Sequence, residues 1–222
     1  MNNIRLKYIT NINSIFKMDE FILCALNLAF LCFFSNNKIS NHKNLVMWSD
    51  GIYGKFLTGA KKIPGSNLIK AMRLPKDIKR IIVIGNLKLN EEKFLKKKFK
   101  VKVQHKKLPI AKVEELKKKI IINYNKTDLI FITLPTPMQE NIANYLSKRF
   151  RIKKIICIGG GLAIAAGTIA ECPRVLSKIG MEFIWRLRTD TARRLKRLIY
   201  TFFIYQYMKL FSHFKQLRLV KI

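Results

Sequence analysis

Acidic residues are scarce in this chain: its 222 residues include 13 Asp and Glu against 44 Lys and Arg, for a formal net charge of +31. The imbalance excludes the near-neutral surface of an ordinary cytosolic enzyme and indicates a negatively charged partner, such as nucleic acid, anionic lipid or a phosphorylated substrate. Disorder is excluded because 49% of the residues are hydrophobic and 11% are aromatic. The scattered lysines, such as those between Lys93 and Lys98, are also what an A/T-rich coding sequence would produce without any partner.

Cysteine pairs, metal-ligand spacings and a signal peptide are absent as well. The four cysteines form no C-x-x-C pair, and no histidine stands at ligand spacing from any of them. A chain this long and this apolar needs no disulfide framework, so we expect a reducing compartment and no metal site. The N-terminus lacks signal-peptide anatomy, because the first apolar run begins only near residue 21.

That first apolar run is too short to cross a membrane. Residues 21–34 (FILCALNLAFLCFF) contain a single polar side chain, Asn27. As a helix they would span about 21 Å, against roughly 30 Å of hydrocarbon in a bilayer. The run therefore predicts a buried core element.

Short β-rich runs alternate with helical patterns along the rest of the chain. The runs predict strands over residues 45–48, 81–85, 101–103, 129–134 and 154–159. The segments between and after them predict helices over residues 66–72, 90–99, 111–119, 138–149 and 174–179. Short buried strands that alternate with helices indicate βαβ units. We therefore expect an α/β fold, a Rossmann-like parallel sheet with helices on both faces, whose ligands bind where the strands end.

The chain changes character after about residue 183. A cluster of cations comes first: Arg186, Arg188, Arg193, Arg194, Lys196 and Arg197. The aromatic-rich segment 198–211 (LIYTFFIYQYMKLF) follows, and it is too short to span a bilayer. A basic cluster beside such a segment is typical of a helix that lies on a membrane surface, with a core helix as the alternative. We divide the chain into a core, residues 1–182, and a basic, aromatic, membrane-associating appendage, residues 183–222.

Polar pairs follow two of the predicted strands. Asp50 and Gly51 come after the first strand, where a carboxylate can act as a general base, although Asp-Gly is also a common turn. Gln139 and Glu140 lie in the first turn of the helix after strand 129–134. The glutamate suits the helix dipole there, and the glutamine can bind a sugar hydroxyl or a base edge.

Glycines end two further strands. Gly85 closes one of them, and Gly159-Gly160-Gly161 follows the other. A glycine loop at a strand end lets backbone N–H groups meet a phosphate. The pattern is neither the dinucleotide fingerprint nor a P-loop.

The order of these motifs resembles the WecG/TagA/CpsF family of bacterial glycosyltransferases. The chain has SDGI, PGSNL, a strand ending in glycine, TPMQE and then GGG, in that sequence. Agreement is densest over residues 167–187, where the family reads approximately G-x-x-x-R-A-P-x-W-x-x-x-x-G-L-E-W-x-Y/W-R-L. In register with that pattern stand Gly167, Cys172, Pro173, Gly180, Met181, Glu182, Phe183, Trp185, Arg186 and Leu187. The resemblance extends from about residue 25 to about residue 197.

The resemblance implies a specific reaction in the synthesis of cell-surface polysaccharides such as teichoic acid, capsule, exopolysaccharide or enterobacterial antigen. Members transfer a hexosamine-type sugar, N-acetylmannosamine or a relative, from a UDP-sugar to polyprenyl-diphosphate-linked N-acetylglucosamine. The anomeric centre is inverted, and no metal or other cofactor is needed. The expected partners are this donor, this acceptor and an anionic membrane surface at the cytoplasmic face of the bacterial cell membrane. Nucleic acid is not expected, and a homo-oligomer is left open.

The resemblance also assigns roles to residues. Asp50 becomes the candidate base for the acceptor hydroxyl. The expected substrate-binding positions are Asn27, Gly51, Gly85, Gln139, Glu140, Gly159 and Gly160. The expected diphosphate-binding cations are Arg186, Arg193 and Lys196. These roles agree with elementary chemistry, because an inverting transfer needs one base and a stabilised leaving group, and cations can neutralise a diphosphate where no metal does.

Some positions depart from the family pattern. Ala25 replaces a threonine, Pro135 a glycine, Asn67 and Ala163 an aspartate each, and Glu171 an arginine. Most of these changes remove polar or charged groups around the expected pocket, so a degenerate, noncatalytic member or scaffold is one alternative. A basic nucleic-acid-binding protein is another, although no such motif is recognisable and the aromatics cluster in one segment.

Overall fold

The computed structural model describes residues 4–27, 29–30, 44–109, 111–173, 175–176, 184–185, 195, 199, 202–203, 206 and 217–222. These residues form eight strands: β1 (Ile4–Ile9), β2 (Phe21–Leu26), β3 (Leu45–Ser49), β4 (Arg80–Ile84), β5 (Lys102–Lys106), β6 (Asp128–Ile132), β7 (Lys154–Cys157) and β8 (Leu217–Lys221). They build one sheet in the order β5-β4-β6-β7-β2-β3-β1-β8. Every pairing is parallel, so all strands end at the same edge.

Six α-helices and one 3-10 helix that lie wholly within the described ranges accompany the sheet. They are the 3-10 helix Ile12–Lys17, α1 (Gly51–Thr58), α2 (Gly65–Ala71), α3 (Leu89–Phe99), α4 (Val113–Lys119), α5 (Met138–Phe150) and α6 (Gly161–Ala165). Local signals set their limits. Glu91 accepts a hydrogen bond from the backbone N–H of Lys88 and so caps α3, and Gly59 ends α1 in the left-handed conformation.

The core consists of two apolar layers, one on each face of the sheet. Alternate residues of each strand point to opposite faces, so Ile82 and Ile84 enter one layer while Ile81 and Val83 enter the other. The first layer is covered by side chains of α1, α4 and α5, and the second by the 3-10 helix, α2, α3 and α6. Strands β2, β3 and β6 are buried along their whole length, as expected for parallel strands covered on both faces.

The fold confirms the prediction of an α/β parallel sheet with helices on both faces. The five predicted strands correspond to β3, β4, β5, β6 and β7, and the buried run that starts at residue 21 begins with β2. Strands β1 and β8 were not predicted. Strand β8 lies inside the segment predicted as the appendage and pairs with β1 at the sheet edge. The predicted helix 174–179 falls largely outside the described residues, where only residues 175–176 are described, as helix.

Within the described part of the chain, no helix combines the length and the apolar character needed to cross a membrane.

Candidate functional site

Asp50 stands where β3 passes into α1. It is the N-cap residue of α1, and the next residue, Gly51, has a φ of +76° that glycine adopts without strain. Helix α1 then packs closely on β2 and β3. A methyl group on Gly54 would overlap the carbonyl oxygen of Leu26. Because Gly54 has no side chain, α1 can lie directly over the ends of these strands, and Asp50 at its start lies there with it.

Gln139 and Glu140 are buried in the first turn of α5, with 4% and 2% of their surfaces exposed. They share hydrogen bonds with Thr136. The Thr136 hydroxyl donates to Glu140 Oε1 at 3.0 Å, and Gln139 Nε2 donates to the same oxygen at 2.9 Å and to Thr136 Oγ1 at 3.1 Å. This network fixes the two side chains in position before any ligand binds.

Two buried thiols lie beneath Glu140. Cys24 of β2 and Cys157 of β7 hydrogen-bond to each other, and the Cys157 thiol also donates to the Gln139 carbonyl oxygen at 3.7 Å. Burial raises the pKa of both thiols, and the negative charge of Glu140 adds to that effect. Both thiols therefore stay protonated at neutral pH and serve as packing groups under the site.

The glycine loop after β7 faces Gln139. Gly159 has a φ of +49°, and a Cβ there would lie 3.6 Å from Gln139 Oε1. That amide oxygen is buried and has no hydrogen-bond partner within the described residues. Gly160 is the N-cap residue of α6. Gln139 Oε1 can therefore accept a hydrogen bond from a further donor.

Two other predicted residues lie at the same edge. Gly85 ends β4 with a φ of +116°, and its carbonyl oxygen stands 2.8 Å from His105 Nε2. Asn27 follows β2, and its side-chain oxygen accepts a hydrogen bond from the backbone N–H of Phe30 at 3.0 Å. Asn27 thus shapes the turn after β2, and Gly85 shapes the loop after β4.

The fold brings Asp50 and the Gln139–Glu140 pair to the edge of the sheet where the strands end, on the same face. Helices α1 and α5 cover the same face of the sheet, and both contact β2. Their first residues therefore flank the ends of β2 and β7, with the Gly159–Gly160 loop beside them. The predicted cations Arg186, Arg193 and Lys196 lie outside the described residues.

Sequence reasoning missed two features of this region. Thr136 was not among the predicted site residues, although its spacing of four residues from Glu140 places it at the same helix start. Glu171, which departs from the family pattern, accepts a hydrogen bond from Ser66 at 3.3 Å and forms an ion pair with Lys70 at 3.2 Å. No local pattern signals that contact, because it joins segments far apart in the sequence.

In the described ranges, no group of three or more His, Cys, Asp and Glu side chains is placed to hold a metal ion.

Comparison with known families identifies one match. The model of the glycosyl transferase WecG/TagA/CpsF family matches residues 50–218. The matched region starts at Asp50 and contains every predicted site residue except Asn27. No curated protein matches the chain with significance.

Proposed function

This chain belongs to the WecG/TagA/CpsF family of glycosyl transferases, and we propose that it transfers a hexosamine-type sugar, N-acetylmannosamine or a relative, from a UDP-sugar to polyprenyl-diphosphate-linked N-acetylglucosamine. Family membership makes it a glycosyltransferase of cell-surface polysaccharide biosynthesis. The observation that carries the finer proposal is the position of Asp50, Gln139 and Glu140 at the same edge and on the same face of the sheet. A basic nucleic-acid-binding role has no comparable support.

Asp50 is the proposed general base. Its carboxylate takes the proton of the acceptor hydroxyl, and that oxygen forms a bond to the anomeric carbon of the donor sugar. The bond from the anomeric carbon to the UDP oxygen breaks on the opposite face, and UDP leaves with the electron pair. One displacement of this kind inverts the anomeric centre. A positioned base contributes typically 10²- to 10⁴-fold to such a step.

Gln139 and Glu140 are the proposed donor-sugar contacts. Gln139 Oε1 accepts a hydrogen bond from a sugar hydroxyl or from the N–H of its acetamido group. Glu140 holds the Gln139 amide through its bond to Nε2, and its buried carboxylate supplies negative charge near the anomeric carbon, which becomes positive in the transition state. The Gly159–Gly160 loop allows the diphosphate of the UDP-sugar donor to approach the protein backbone closely.

The leaving diphosphate needs positive charge, and the proposal assigns this role to Arg186, Arg193 and Lys196 without a metal ion. These cations lie in the predicted appendage, which we propose rests on the cytoplasmic face of the bacterial cell membrane. Support comes from nearby described residues with helical backbone and exposed apolar side chains: Leu195, Ile199, Phe202 and Phe203. Their spacing of four, three and one residues is the one by which a helix on a membrane surface carries apolar side chains on one side.

A transfer assay tests the proposal. The full chain is incubated with a panel of UDP-sugars and short-chain polyprenyl-diphosphate-N-acetylglucosamine in the presence of a chelator, and the lipid mass is followed. We expect one added hexosamine. Asp50→Asn should lower turnover by about 10³-fold. The matched control Asp77→Asn, at the edge where the strands begin, should leave turnover unchanged. Arg186→Gln/Arg193→Gln should lower turnover far more than stability.

Three results would contradict the proposal. Absence of any product with the whole panel supports a noncatalytic family member. Full activity of Asp50→Asn removes the assigned base. If Arg186→Gln/Arg193→Gln is as active as the wild type, these arginines do not bind the diphosphate.

A further inference from the structure

Helix α1 carries an exposed aromatic side chain close to the proposed base. Phe56 lies six residues after Asp50 and is 84% exposed, the largest exposed fraction among the large hydrophobic side chains that the structure describes. Lys55 is exposed beside it, and Lys61 is exposed just beyond the end of the helix. An exposed phenylalanine between lysines has the character of a membrane-interface contact.

Phe56 is exposed although its helix is held firmly against the sheet. Gly54 lies against the Leu26 carbonyl, and Leu57 packs on the first apolar layer. The Thr58 hydroxyl donates to the Gly54 carbonyl oxygen at 2.7 Å, and the Thr58 carbonyl oxygen accepts a hydrogen bond from Tyr8 at 3.3 Å. With one side of α1 fixed on the sheet, Phe56 is directed to the outside.

After Asp50, the segment that contains this helix carries charge of one sign. Between Asp50 and Asp77 the chain has six Lys and Arg residues and no Asp or Glu. In β8, the outermost strand next to β1, Lys221 is exposed and pairs in register with Tyr8. Tyr8 is the residue that donates a hydrogen bond to the end of α1. Ile222 beside Lys221 is also exposed. The surroundings of Phe56 therefore match a negatively charged, apolar partner.

We propose that Lys55, Phe56 and Lys61 form a docking surface for an anionic lipid bilayer, with the Phe56 ring inserted between head groups. These three residues lie outside the predicted appendage, residues 183–222, and the surface would turn the edge that carries Asp50 towards the bilayer. The inference rests on the proposed function. The polyprenyl chain of the acceptor is embedded in the membrane, so Asp50 can reach the acceptor hydroxyl when its edge of the sheet faces the bilayer. Each lysine near such a surface adds about fivefold to binding.

Vesicle co-sedimentation of the full chain tests the surface without any sugar substrate. The probe is mixed phosphatidylcholine–phosphatidylglycerol vesicles, with pure phosphatidylcholine vesicles for comparison. Phe56→Ser should weaken partitioning to the mixed vesicles about tenfold, and Lys55→Gln/Lys61→Gln about 25-fold at low salt. Neither change touches the core, so both variants should melt as the wild type does.

A matched control lies in the connection from α4 to β6, on the side of the sheet where the strands begin. Ile121 is 78% exposed, and Lys118 and Lys119 are exposed next to it. Ile121→Ser and Lys118→Gln/Lys119→Gln should leave vesicle binding unchanged. The inference is overturned if the α1 variants bind the mixed vesicles as the wild type does, or if the control variants lose as much binding as the α1 variants. It is also overturned if the wild type does not bind anionic vesicles.

Transfer activity separates this inference from the function on which it rests. With a water-soluble short-chain acceptor and no vesicles, Phe56→Ser should turn over as the wild type does. With a long-chain acceptor in vesicles, its apparent KM should rise about tenfold. Weakened vesicle binding in a chain that transfers no sugar overturns the function alone. Normal transfer with unchanged vesicle binding and KM overturns the docking surface alone.

Discussion

The two edges of the sheet use polar residues in opposite ways. At the amino edge, where the strands begin, charged side chains form ion pairs between neighbouring segments: Arg80–Asp128, Lys153–Glu20 and Lys154–Asp77. At the carboxyl edge, the buried side chains of Gln139 and Glu140 hydrogen-bond to each other and to Thr136, Gln139 Oε1 has no partner within the described residues, and glycines with positive φ follow β3, β4 and β7. Arrangements of the second kind are typical of ligand sites.

The strongest contact of the amino edge joins the starts of β4 and β6. Arg80 donates to both carboxylate oxygens of Asp128, at 3.0 and 2.6 Å. The hydrogen bond to Asp128 raises the pKa of Arg80, and the Asn125 backbone N–H also donates to Asp128 at 2.7 Å. Asp128 is 1% exposed, so each partner compensates a charge that burial would otherwise penalise.

Glu140 is the counterpart of Asp128 at the carboxyl edge. It is equally buried, but its Oε1 accepts hydrogen bonds from the neutral groups of Thr136 and Gln139. The same type of side chain thus forms an ion pair at one edge, and at the other it is proposed to act on the substrate. The difference teaches that burial of a carboxylate does not by itself reveal its role.

The largest expected effect comes from removing the charge of Glu140. Glu140→Gln keeps an acceptor for Thr136 and Gln139, so we expect turnover to fall by about 10²- to 10³-fold while the free energy of unfolding changes by no more than about 1 kcal/mol. Transfer kinetics and urea denaturation measure the two quantities. Glu114→Gln, an exposed carboxylate on α4, is the control. A large loss of stability would show that Glu140 is structural, as Asp128 is.

The amino edge should respond in the reverse manner. Arg80→Met leaves Asp128 buried without its cation, so the free energy of unfolding should fall by about 3 kcal/mol with unchanged kcat. Replacing both partners, Arg80→Met/Asp128→Leu, should restore most of that loss. Urea denaturation of the three proteins provides the measurement. If the single variant loses less than about 1 kcal/mol, the ion pair is not what holds this edge.

The smallest expected effect concerns Cys24 and Cys157. Burial raises their pKa above the ordinary value of 9.0, so the folded chain keeps protons that the unfolded chain loses above that pH. Stability should therefore be complete below pH 9 and fall as the pH rises, by up to about 1.4 kcal/mol per pH unit for each thiol. Cys24→Ala/Cys157→Ala should remove this part of the slope in urea denaturation, while the lysine contribution stays. Equal slopes would mean that the thiols ionise freely.

Sequence patterns predicted the inner strands and missed two outer ones. Apolar runs such as residues 129–134 are recognisable because central parallel strands are buried on both faces. β1 (IRLKYI) and β8 (LRLVK) alternate charged with apolar residues, and β8 stands in a basic region that resembles a surface segment. Their pairing joins the two ends of the chain, and such long-range pairing leaves no local signal.

The candidate site divides in the same way. The sequence by itself determined which residue types follow each strand, and the order of these motifs sufficed to identify the family and to predict that Asp50, Gln139 and Glu140 lie at one edge. Only the tertiary structure decided what those side chains contact. The packing of α1 and α5 on β2, the thiol pair beneath Glu140 and the contact of Glu171 with Lys70 depend on strand order and helix packing, which arise from contacts between distant segments and are encoded in no single stretch of sequence.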